Sequence, residues 1–142
     1  MLAINKRQLL GILDDGISCN IGRLKAASGT SAGLDSISEL EDALPANAPA
    51  ALKNQVKSCK ENMQKASDAI GRIKDALLSG DAPNEADRDE TEAGLKGATA
   101  DIAKIVTNPT ITGDADLQEV AEEAQSKIAK AGEGGTQVLE EC

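Results

Sequence analysis

The sequence predicts an all-α fold, an elongated antiparallel bundle of four to five helices with coiled-coil-like packing. Two observations carry that expectation. Leu52, Val56, Cys59, Met63, Ala66, Ile70, Ile73 and Leu77 follow one another at spacings that alternate four and three without a miss. This is the rhythm of a helix whose apolar seam faces partner helices along its whole length. Phe, Tyr and Trp are absent altogether, so the core falls to Leu, Ile, Val, Met and Ala. Such side chains suit closely packed helices better than sheets, where aromatic and β-branched residues are enriched. At 142 residues the chain is expected to form one domain, 1–142, with residues 132–142 as a flexible or docking tail.

The first helix is expected to start at Asn5, with Gln8 completing a loose capping box. Leu10, Leu13, Ile17, Ile21 and Leu24 then line one face. Gly11, Gly16 and Gly22 each cost it up to about 1 kcal/mol relative to Ala. The helix therefore depends on packing, and glycines facing a neighbour would let that neighbour approach closely. Residues 27–33 carry no apolar period, and their Ala, Ser, Gly and Thr composition predicts a break or kink near 28–33. Leu34, Ile37, Leu40 and Leu44 make a short second helix that stops before Pro45.

The long central helix follows over 49–79. Pro49 suits its first turn, where a missing N–H costs nothing, and Gly80 suits the left-handed residue that ends it. Lys53, Lys60 and Lys74 recur on one flank, while Ala69 and Ala76 widen the apolar stripe on the other. A stripe that wide favours a bundle over a two-stranded coiled coil. Ile73→Ala in the seam is expected to cost roughly 2–5 kcal/mol, and Lys60→Ala on the flank very little. Glu61 with Lys65 and Asp68 with Arg72 are oriented as ion pairs four apart.

A turn at 79–84 leads to a helix that starts near Pro83 and opens with Glu85, Asp87, Asp89, Glu90 and Glu92, acids favoured by the helix dipole. Its core face is Leu95, Ala98, Ile102 and either Ile105 or Val106, and Asn108-Pro109 ends it. Thr110 to Gly113 is read as a loop before Asp114, a good N-cap. Leu117, Val120, Ala124, Ile128 and Ala131 form the last stripe, which Gly132-Glu133-Gly134-Gly135 is expected to stop.

Charge and composition narrow the chemistry. A net charge of −9 repels phosphate backbones and anionic membrane surfaces, so no nucleic-acid partner is expected. No run reaches the ~20 apolar residues of a membrane span. The stretch Leu9 to Leu13 is interrupted by Gly11, ends at Asp14-Asp15 and lacks the cleavage site of a signal peptide. Two settings fit: a cytoplasmic or particle-associated protein, or the mature form of an exported one. Histidine is absent, which removes His-based triads and most zinc sites. No glycine-rich phosphate loop occurs, and the acids of 81–92 lack the spacing of a calcium loop. No catalytic, cofactor-binding or metal-ligating residues are assigned, and the chain is read as a non-enzyme.

Three cysteines remain, Cys19, Cys59 and Cys142. If the chain reverses at 28–33 and again at 45–49, Cys19 and Cys59 share a layer of the bundle and a disulfide between them is geometrically open. Cys142 would then be a free or intermolecular thiol. If instead one rod runs through to Leu44, the two lie about 20 Å apart along the axis and cannot bond. Cys59 reads equally well as a small buried core residue. The leading functional expectation is an acidic structural or assembly protein, a helical subunit of a larger particle, filament or homo-oligomer, acting through protein–protein contacts and self-association. The alternative is a small exported helical protein, stabilised by a disulfide, that carries an apolar ligand or inhibits a partner.

Overall fold

Helices account for nearly all of the chain in the computed structural model, which describes the backbone from Lys6 to Cys142 and the side chains from Gly16 onward. Asn5 and the side chains of Gln8, Leu10 and Leu13 lie outside the described residues. The elements are α1 (Lys6–Ala43), α2 (Ala50–Leu78), α3 (Glu85–Val106), α4 (Pro109–Thr112) and α5 (Ala115–Glu141), with no strand among the described residues. The fold is all-α. The four long helices run alternately up and down: α1 packs on α5 and α2 on α3, and the two pairs meet through α1–α2 and α3–α5.

The end signals operate largely as their chemistry dictates. Pro49 is the residue before α2, and Gly80 has a φ of 80°, where a side chain would be strained. The Asn84 side chain caps α3 by accepting from the Ala86 N–H at 3.0 Å. Asp114 caps α5 by accepting from the N–H groups of Asp116 and Leu117. Residues 110–113, expected as loop, are mostly the short α4, because Asn108 caps it, Pro109 opens it and Ile111 is buried beneath it.

The expected break at 28–33 is not there. At 38 residues, α1 runs through it without interruption, and the reason lies in packing. Gly22, Ala26, Gly29 and Gly33 recur at four, three and four and are all buried. A Cβ on Gly29 would sit 2.6 Å from the backbone nitrogen of Ala131, and one on Gly134 would sit 2.3 Å from that of Ala26. The glycines are the contact face, letting two backbones approach closer than side chains allow. The same contact carries α5 through residues 132–135 to Glu141, so the expected tail is the last turns of a helix. With its small face turned inward, α1 leaves its aliphatic face outward: Ile17, Ile21 and Leu24 are 56%, 44% and 69% exposed.

Further along, Ile37 and Leu40 of α1 join Leu52, Val56, Met63, Ile102, Ile105 and Ile128 in one fully enclosed core. The pairing of Asp68 with Arg72 gives way to a longer reach. Arg72 Nε donates to Asp87 Oδ1 at 2.7 Å and its Nη2 to Glu90, tying α2 to the start of α3. Among the described residues Glu61 and Lys65 form no ion pair, whereas Lys60 reaches Glu41 of α1 at 2.9 Å.

Candidate functional site

The core seam divides at its midpoint. Leu52, Val56, Cys59, Met63 and Ala66 are buried, and the adjacent Ala69 is buried with them. Beyond that level Ile70 and Ile73 are only half-buried and Leu77 is 37% exposed. These three seam residues are not sealed by a partner helix. They form one wall of a cleft of about 990 Å³ between the α1/α5 pair and the α2/α3 pair, open to solvent on one side. Leu24 and Ala27 of α1, Leu95 and Ala103 of α3, and Val138 and Leu139 of α5 supply much of the remaining apolar lining. The cavity lies at the top of the size range of small-molecule pockets, roughly 300–1,000 Å³.

Local structure explains why the cleft stays open at this end. The α1/α5 pair is held tightly to itself rather than to α2. Cys19 and Cys142 are joined by a disulfide, with Cα atoms 5.1 Å apart. Gln137 Nε2 donates to the Ser18 carbonyl at 2.6 Å, and Lys127 Nζ donates to Ser36 Oγ at 3.0 Å. The α2/α3 pair is held by a different device. Gln55, Ser58 and Asn62, spaced three and four along α2, all donate to the Asp101 carboxylate, at 2.6, 2.8 and 2.9 Å. Both clasps act within a pair, so neither draws the pairs together where the cleft lies.

The cysteine assignments change accordingly. The Cys19–Cys59 bond does not form, because α1 is one rod and the axial offset between the two residues is real. Cys142 is neither free nor intermolecular; it is bonded to Cys19 and lines the cleft. Cys59 is a free, fully buried thiol against the Ala98 carbonyl. Burial, with the Asp101 carboxylate adding to it, pushes its pKa up to about 12, the opposite of an activated nucleophile.

Leu78, 77% exposed, is part of the site that the spacing analysis did not identify, while Leu139, 62% exposed, belongs to the segment expected as a docking tail. Their signal was available. Leu77-Leu78 and Val138-Leu139 are adjacent apolar pairs, and one narrow seam cannot face both members of such a pair. Among the described residues no three acids or cysteines converge to hold a metal, and no helix is long and apolar enough to cross a membrane. Comparison with protein-family models, with curated proteins and with solved structures returned no match.

Proposed function

We propose that the protein binds an apolar small molecule in the cleft between its two helix pairs and acts as a non-enzymatic carrier. The observation that carries this reading is the exposed half of the α2 seam. Ile70, Ile73 and Leu77 continue a core rhythm, yet they border an open cavity of about 990 Å³ and are not sealed. Leaving aliphatic surface in water costs about 25 cal/mol per Å², and an apolar ligand recovers that energy. The intrachain Cys19–Cys142 bond supports an oxidising, extracytoplasmic setting.

Self-association of a structural subunit is the competing reading. It is favoured by Ile17 and Ile21, which are exposed on α1 and are not among the residues lining the cleft. Titration with the neutral dye Nile red separates the two. Saturable one-to-one binding to a monomer, abolished by Ala103→Trp with helix content unchanged, is the expected result. A stable multimer by light scattering that excludes the dye would reject the carrier in favour of assembly.

A further inference from the structure

The charges around the cleft run against those of the whole chain. The protein has 24 acids and 15 Lys plus Arg. The cleft nevertheless takes Arg23, Lys74, Arg88 and Lys96 against a single acid, Glu92. Lys96 and Glu92 neutralise one another at 2.7 Å. The other three cations come from three different helices, and among the described residues none is in an ion pair; Arg23 reaches only the Asn20 side-chain oxygen, at 3.3 Å.

Of the acids beside Arg88 on α3, Glu85 is in no ion pair among the described residues, and two others are committed elsewhere. Asp87 and Glu90 both turn to Arg72, which is not part of the cleft lining. That same contact sets the last turns of α2 beside the first turns of α3, which brings Lys74 and Arg88 to the open end of the bundle. Arg23 lies there too, one turn from the Cys19–Cys142 bond. Of the polar side chains in the lining, the Thr91 and Thr99 hydroxyls donate to carbonyls of their own helix. The lining has no aromatic ring to stack a flat ligand, because the chain has none.

We infer that the ligand is a long-chain aliphatic anion, its hydrocarbon chain against Ile70, Ile73, Leu95 and Val138 and its head group held by Arg23, Lys74 and Arg88. The inference rests on the carrier reading and sharpens it to a ligand class. Charge-assisted contacts to a carboxylate are stronger than neutral ones, and arginine is suited to gripping both of its oxygens.

Displacement of bound Nile red by palmitate and by hexadecanol, matched in chain length and kept below micellar concentrations, tests it. Palmitate should displace the dye at about one-tenth the concentration that hexadecanol requires. The variant Arg23→Gln/Lys74→Gln/Arg88→Gln should lose that preference while hexadecanol displacement is unchanged. Equal displacement by the two chains in the unmodified protein overturns the anionic head and leaves the carrier reading standing. A preference that survives the triple variant overturns the assignment to these three residues. Dye binding with no displacement by either chain overturns the aliphatic ligand, and absence of dye binding overturns the carrier reading itself.

Discussion

Where α1 turns into α2, Leu40, Leu52, Val56 and Ile111 are sealed from solvent by four helices. At the opposite end Ile70, Ile73, Leu77 and Leu78 stand in or beside an open cleft. Both groups are aliphatic, and Leu52 and Val56 belong to the same four–three seam of α2 as Ile70, Ile73 and Leu77. The difference lies in the neighbours: the first group meets the large side chains of other helices, while the second faces a gap between two pairs that are each clasped internally. A seam of this kind specifies an apolar face, and the relative placement of the pairs decides whether protein or something else covers it.

Removing the clasp at the open end should have the largest effect. Cys19→Ser/Cys142→Ser takes away a bond between residues 123 positions apart, worth about 5 kcal/mol in the chain-entropy model and about 2–5 kcal/mol as usually measured. Urea denaturation checks the total. Hydrogen exchange checks the location: α5 beyond Gly134 should lose protection, while Val56 to Met63 should keep it in the native state. Uniform loss across both ends would erase the distinction between them.

A pair of truncations measures the contrast directly. Ile102→Ala, in the sealed half, should cost about 2–5 kcal/mol, whereas Ile73→Ala, in the cleft wall, should cost roughly 1 kcal/mol. The seam pattern alone assigned the larger cost to Ile73, and its half-burial reduces it. Equal costs in the unliganded protein would mean that the cleft is closed in solution.

An effect absent at neutral pH is a pH dependence from Cys59 in the sealed half. The folded protein holds this thiol neutral up to about 12, against an ordinary value of 9.0. The unfolded chain therefore loses the proton first as the pH rises. The stability gained from the protonated thiol is complete below about 9 and declines between there and 12. Comparison with Cys59→Ala across that window should show a shallower loss in the variant. Identical slopes would show that solvent reaches the sealed half.

The difference between the ends also explains what could be read from the sequence. The α2 helix, the cap at Asp114 and the stripes of α3 and α5 were legible because large apolar residues and capping side chains act locally, whereas the start of α3 was placed near Pro83, ahead of its cap Asn84. The continuity of α1 was not. Its contact with α5 is made of Gly and Ala, whose composition resembles a loop, although Gly22, Ala26, Gly29 and Gly33 keep the four–three rhythm. The cleft was illegible for another reason. Ile70 and Ile73 look the same on paper as Val56 and Met63, and only the tertiary placement of α1 and α5 separates them. The partner of Cys19 likewise depended on which helix lies beside α1, a long-range choice that no local spacing encodes.

The Cys19–Cys142 bond also makes a covalent ring that encloses most of α1 and the whole of α2, α3, α4 and α5. A protease that nicks the connector at 45–49 or the turn at 79–84 therefore releases no fragment, because the two pieces stay tethered until a reductant opens the ring. Folding has the complementary problem. The two cysteines are far apart in sequence, so their encounter carries one of the largest loop-closure costs in the chain. The α2/α3 hairpin, whose contacts are much closer in sequence, is placed to form first and serve as the surface on which the ring closes.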